Sequence, residues 1–260
     1  MAAKHVRNND SLYNTLFFLE VTMSKHLIIG ASSAIAQSMI MEILKKEHSI
    51  IAISRSRIPD ALASSTNLQW IQCDYSTAGI QSICQQLSKT LPELNSLYIC
   101  NGILHNHDLY PEKQIKQFKA ENFHSVMHVN AALPMIWLQS ITPYLSRRQH
   151  LKVVLFSARI GSIGDNELGG WHSYRASKAA LNMLARNYAI EMNRSHKQVS
   201  ITLFHPGTTN TNLSKPFQKN VTPNKLFEPN FVAQQLLSIM EKQISKDISY
   251  IDWQGKPIPW

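Results

Sequence analysis

The sequence is short of three things that would point to a compartment or a ligand. Its three cysteines, Cys73, Cys84 and Cys100, are odd in number and lack CxxC spacing. That excludes a disulfide framework and fits buried thiols in a reducing compartment. It has no long apolar run. The first, over residues 16–19, is far below the roughly 7 to 15 residues of a signal-peptide core, and no later one reaches the roughly 20 needed to cross a bilayer. The expectation is a cytoplasmic protein with no membrane partner. Only nine glycines occur in 260 residues, so a phosphate-binding loop with its usual three glycines is not intact anywhere.

Acidic residues are also scarce, 17 against 26 lysines and arginines, for a net charge of +9. The cations are scattered, with only short pairs such as Lys45-Lys46 and Arg147-Arg148. This is a solvated basic surface rather than a nucleic-acid stripe, and no nucleic-acid partner is expected.

Residues 1–22 carry two charges of each sign and no clear period, and a strand pattern begins directly after Met23. We read 1–22 as a poorly structured appendage, with translation expected to start at Met23, and 23–260 as one domain. Mass spectrometry of the native N-terminus that found residues 1–22 would reject that start.

Along the domain, apolar runs of strand length alternate with amphipathic helical stretches, the pattern of βαβ units around a parallel sheet. Strands are predicted at 25–30, 49–54, 68–73, 96–100, 151–157, 199–204 and 248–252. Helices are predicted at 34–47, 77–90, 120–145, 173–194 and 230–242, the third with Pro134 as a kink or turn. The fold class is therefore α/β: a single doubly wound parallel-sheet Rossmann domain of about seven strands with helices on both faces. The long polar loop at 206–229 reads as a substrate lid around 208–228.

Three motifs carry chemistry. Gly30-Ala31-Ser32-Ser33-Ala34-Ile35-Ala36 lies between a strand and a helix, where backbone N–H groups and the positive helix end would receive a dinucleotide pyrophosphate. One glycine alone also suits a helix simply capped by Ser32 or Ser33. Ser54-Arg55-Ser56 follows the second strand, where an acidic residue would read an unphosphorylated adenosine ribose. Arg55 offers donors to a 2′-phosphate instead, which favours NADP(H), with NAD(H) the alternative. Tyr174-Arg175-Ala176-Ser177-Lys178 places a phenol and an ammonium four residues apart on one helix face. A fixed ammonium near a phenol favours the phenolate and makes proton exchange with a carbonyl or carbinol oxygen feasible.

Together these residues resemble the short-chain dehydrogenase/reductase family from about residue 24 to 260, and are similar to its C-factor-like and carbonyl-reductase-like branch. The resemblance implies that Tyr174 is the catalytic acid/base, and that Lys178 lowers its pKa and holds the nicotinamide ribose. It implies that Asn130, in His128-Val129-Asn130-Ala131-Ala132, orders a proton-relay water. It assigns the cofactor loop to Gly30, Ser32, Ser33, Ala34 and Ile35, and the adenine side to Asp74 and Tyr75. Asn101 and Gly102 fall at the turn after the fourth strand, while Pro206, Gly207, Thr208 and Thr211 close over the nicotinamide. It also implies a small-molecule carbonyl or alcohol substrate and a homodimer or homotetramer formed through the helices bearing Asn130 and Tyr174.

The departures are specific. Ile29, Ala34, Ala36 and Cys100 replace family residues, and the family's catalytic serine falls on Ala158. Ser162, beyond Gly161, is the expected substitute. The alternative is that no serine reaches substrate and Tyr174 polarises the carbonyl alone. These losses and the C-factor likeness also admit a dinucleotide-binding signalling protein with weak or no catalysis. The histidine pairs His105/His107 and His124/His128 lack an HExxH motif or a cysteine cluster, and no metal is expected.

Overall fold

The computed structural model describes residues 23–242 and 248–260. The expected appendage at 1–22 lies outside the described residues. Seven strands form one parallel sheet: β1 Lys25–Ile29, β2 Ser49–Ser54, β3 Leu68–Gln72, β4 Ser96–Ile99, β5 Leu151–Phe156, β6 Val199–His205 and, closing the far edge, a strand at Ser249–Asp252. The order from one edge is β3, β2, β1, β4, β5, β6, then Ser249–Asp252. The chain reverses direction across the sheet between β1 and β4, which opens a crevice at the carboxyl ends of those strands.

Interior strands are buried on both faces, which is why they read as continuous aliphatic runs rather than as alternation. In β1, Leu27 and Ile29 join one core and Ile28 the other. The first core lies under α2 (Thr77–Gln86), α4 (Leu133–Ile141) and α5 (His172–Ser195); the second lies under α1 (Ala34–Leu44) and α6 (Pro229–Lys242). Strand β3, at an edge, buries none of its residues fully, and Gln69 and Gln72 are exposed.

Two predicted elements differ. The helix expected at 120–145 is divided into α3 (Ala120–Met127), a π turn at His128–Ala132, and α4. Pro134 has no N–H to offer the carbonyl of Asn130 four residues earlier, and its ring would crowd that carbonyl, so the chain widens into the π turn just before it. The 206–229 stretch is structured rather than open: β7 (Thr208–Thr209) pairs in parallel with β8 (Leu226–Phe227), and 3₁₀ turns at Lys215–Asn220 and Pro223–Lys225 lie between them. The strand at Ser249–Asp252, hereafter β9, pairs in parallel with β6.

Candidate active site

Helix α5 presents Tyr174 and Lys178 one turn apart, and strand β5 fixes where they stand. The Lys178 ammonium donates to the carbonyl of Phe156, the last residue of β5, at 2.7 Å, and its Nζ lies 5.9 Å from the centre of the Tyr174 ring. Both side chains are buried, at 3% and 9% exposure. Burial pushes the ammonium down to about 8. Burial, with a smaller contribution from Tyr250, pushes the phenol up. The ammonium is engaged by the Phe156 carbonyl, and burial favours the neutral, protonated phenol of Tyr174.

Asn130, fully buried in the π turn, is engaged on three sides. Its Nδ2 donates to the Ile103 carbonyl at 2.9 Å and to Ser177 Oγ at 3.0 Å, and its Oδ1 accepts from the Ile103 N–H at 2.7 Å. The side chain thus fastens the turn after β4 to the turn of α5 between Tyr174 and Lys178. Gly102 lies between the two functional groups: a Cβ there would sit 3.7 Å from Asn130 Oδ1 and 3.8 Å from Lys178 Nζ. Gly161 packs directly on α5, where a Cβ would come within 2.7 Å of Lys178 Cβ.

Ala158 packs in the apolar cluster around Tyr174 with Leu104, Leu109 and Val126. Ser162 is buried and its Oγ accepts from the Asp165 N–H at 3.1 Å, closing its own turn. The Ser157 hydroxyl donates to Asn182 Oδ1 at 2.6 Å. Aromatic rings enclose the same cluster: Trp171 lies 6.2 Å from Tyr174 and 4.9 Å from Phe217, which lies 5.6 Å from His105. The His105 Nε2 meets the Asn212 carbonyl at 3.0 Å, joining the loop after β4 to the 208–228 segment, while His107 meets its neighbour Asp108.

On the β2 side, Gly30 adopts a left-handed φ of +80°, and a Cβ there would stand 3.0 Å from the Cys100 carbonyl carbon. Only glycine permits this approach of β1 to the end of β4. Ser33 caps α1 by accepting from the Ala36 N–H at 3.2 Å, and the Ser32 carbonyl accepts from Gln37. Ala34 and Ile35 open the first turn of α1. Tyr75, with φ +66°, turns its phenol under the loop, accepting from Gly30 N–H at 3.0 Å and donating to the Ile53 carbonyl at 3.1 Å. Arg55 lies over that ring, 5.8 Å from its centre. Asp74 accepts from the Ser76 N–H and hydroxyl, which hold its carboxyl below the ordinary value. The Asn101 Oδ1 is buried without a partner.

At the carboxyl end of β6, Gly207 follows Pro206 at φ +71°, and a Cβ would meet the Phe227 ring at 2.7 Å. Thr208 begins β7, and Thr211 accepts through its carbonyl from Ser214 N–H at 3.1 Å. The sequence-predicted residues stand at or just beyond the carboxyl ends of the strands, in the π turn and on α5; Glu112, Trp171 and Tyr250 were not foreseen. Glu112 is a buried carboxylate against Ser173, and Tyr250 donates to the Ala158 carbonyl at 2.6 Å. The one local signal was Gly169-Gly170 ahead of Trp171, a pair that permits left-handed chain.

The site's elements can hold a dinucleotide: a glycine cradle at a helix start, an unpartnered amide oxygen in the crevice and an arginine beside the second strand. The sequence profile of short chain dehydrogenases matches residues 25–222. The chain is 26% identical over 195 residues to 1-hydroxy-2-glutathionyl-2-methyl-3-butene dehydrogenase of a Rhodococcus species, covering 75% of this chain and 82% of that one. It is 24% identical to a benzil reductase of Bacillus subtilis, covering 85% and 94%, and 30% identical to C-signal of Myxococcus xanthus, covering 51% and 75%. A short-chain dehydrogenase/reductase structure from Burkholderia multivorans with bound NADP superposes with a TM-score of 0.78 at 23% identity, over 92% of this chain and all of that one, and shares the fold. The chain belongs to the short-chain dehydrogenase/reductase family.

Proposed function

We propose that this NAD(P)-dependent oxidoreductase is a cytoplasmic, NADP(H)-preferring carbonyl reductase whose acid is Tyr174. The observation that carries the reading is the burial of Tyr174 and Lys178 together at the end of β5, with the phenol held protonated. When bound, the reduced nicotinamide supplies the hydride. Tyr174 donates its phenolic proton to the carbonyl oxygen as the alcohol forms. Lys178, charged below about pH 8, stabilises the resulting phenolate and would hold the nicotinamide ribose when the cofactor is bound. Asn130, whose side chain is taken up by Ile103 and Ser177, holds a relay water through its main-chain carbonyl, the one that Pro134 cannot engage at α-helical spacing.

With Ser162 closing its own turn and a methyl group at Ala158, Tyr174 polarises the substrate oxygen alone. Arg55, with no acidic residue beside it in Ser54-Arg55-Ser56, supports the preference for a 2′-phosphate. Trp171, Phe217 and the aliphatic cluster support an apolar, ring-bearing substrate, in keeping with a relative named for benzil. The 208–228 segment acts as the lid, seating Phe217 on Trp171. The exposed Met183, Leu184 and Ile190 on α5 support a homodimer or homotetramer across that helix; light scattering after size exclusion tests it. Among the described residues no helix is long and apolar enough to cross a membrane, and the three cysteines are free thiols.

Titration with NADPH and NADH, followed by a cofactor-consumption screen over aldehydes, ketones and quinones, tests the proposal. NADPH-dependent turnover of aryl carbonyls is expected. Tight binding with no turnover of any substrate would favour the signalling alternative.

A further inference from the structure

The helix that carries the reacting phenol cannot cap itself. Helix α5 begins at His172, its N-cap residue Trp171 makes no side-chain capping bond, and no acidic residue of its own stands in its first turn. The first N–H groups of a helix need acceptors, and burying them without one costs free energy. The acceptor comes from 61 residues earlier. Glu112, 4% exposed, accepts the Ser173 N–H through Oε2 at 3.1 Å, and its Oε1 pairs closely with the Ser173 hydroxyl. Its main-chain carbonyl accepts the Trp171 N–H.

The approach to this cap is unusual. Gly169, Gly170 and Trp171 have consecutive φ values of +61°, +65° and +52°. The two glycines adopt this freely, but a bulky aromatic in the left-handed region is strained and persists only where its surroundings over-determine it. Here those surroundings are the Glu112 carbonyl, the Phe217 ring and the edge of Tyr174. The same loop that supplies Glu112 also supplies Leu104 and Leu109 to the cluster around Tyr174.

We infer that Glu112 is a positioning residue: its carboxylate holds Ser173, and through it the turn that aims Tyr174 and sets Trp171 as a wall of the substrate site. Negative charge at a helix N-terminus adds to the hold, but the two hydrogen bonds define the geometry. The catalytic consequence rests on the reading of Tyr174 as the acid. An acid misplaced by about 1 Å costs on the order of 100-fold in rate, so the hold is visible in turnover before it is visible in binding.

The test uses the full chain with NADPH and benzaldehyde, comparing Glu112→Ala, Glu112→Gln, Ser173→Ala and Tyr174→Phe, with amide hydrogen exchange measured on each. Glu112→Ala should lower kcat roughly 10- to 100-fold while the Kd for NADPH stays within about 2-fold. Exchange should quicken at Ser173, Tyr174 and Arg175 and remain slow beyond Leu181. Glu112→Gln keeps an acceptor for the N–H and a donor for the hydroxyl, and should recover kcat to within roughly 3-fold; Ser173→Ala should fall between the two. A folded Glu112→Ala protein with unchanged kcat and unchanged exchange at 173–175 overturns the inference, as does a Gln variant no better than Ala. Full kcat in Tyr174→Phe would instead overturn the assignment of the acid, and the exchange data would still decide whether Glu112 holds the turn.

Discussion

The two halves of the crevice differ in how far their local turns contribute to holding them. On the side of α5, the polar contacts join residues far apart in sequence: Asn130 to Ile103 across 27 residues, Asn130 to Ser177 across 47, Lys178 to Phe156 across 22. On the side of β2, local contacts of two or three residues, Ser33 with Ala36, Ser56 with Ser54 and Ser76 with Asp74, stand beside longer ones that run through Tyr75 to Gly30 and Ile53. Long-range contacts fix geometry only when the whole fold is in place, and they suit a group that must be aimed. Local turns hold themselves. Ala34 and Ala36 stand on this side where a phosphate loop normally carries glycine, and Arg55 and the Asn101 Oδ1 are among the groups left there to meet a ligand.

Four measurements can break or sharpen this contrast. The largest effect is expected from Tyr174→Phe, which should lower kcat by about 10²- to 10⁴-fold, the range for loss of a general acid, while NADPH titration by fluorescence stays close to wild type. Next, Arg55→Ala should weaken NADPH by roughly 10- to 100-fold through loss of charge-assisted bonds to a 2′-phosphate, yet leave NADH and kcat nearly unchanged. If the two variants affected binding and kcat alike, the division of labour would be wrong.

A smaller effect should appear in the pH profile. Lys178 is charged below its lowered value of about 8 and neutral above it, while Tyr174 stays protonated. The profile of kcat/KM for carbonyl reduction should therefore be flat below about pH 8 and fall by up to about tenfold per unit above it. A profile flat to pH 10 would remove Lys178 from the chemistry. Smallest is Ser33→Ala, which loses the cap of α1 and should cost about 1 kcal/mol in urea unfolding with kcat unaltered.

Most of the fold was legible because the sheet is parallel and interior: strands such as Ile50 to Ile53 and Val153 to Leu155 must be aliphatic on both faces, and the helices between them must be amphipathic. Tyr174 and Lys178 were legible because helical spacing alone brings them together. What the sequence concealed depends on partners distant in the chain. Glu112 sits in a polar loop and looks like a solvated acid until the fold closes it on Ser173. The π turn at Asn130 follows from Pro134, whose presence signalled a disturbance but not its form. The bond to Ser162 from the N–H of Asp165, three residues on, belongs to a turn that strand alternation could not foretell. The small β7–β8 ladder rests on residue pairs too short to show a period.

The account depends on Tyr174 giving its proton as hydride reaches the carbonyl carbon. The most direct measurement is the fate of the label when wild-type protein and Tyr174→Phe are each given benzaldehyde and NADPH deuterated at the transferable C4 position. Wild type should yield benzyl alcohol carrying one deuterium on the carbinol carbon, and the variant should yield almost none in the same time. Unlabelled alcohol, no alcohol from any aldehyde or ketone tried with wild type, or equal labelled product from both proteins would contradict it.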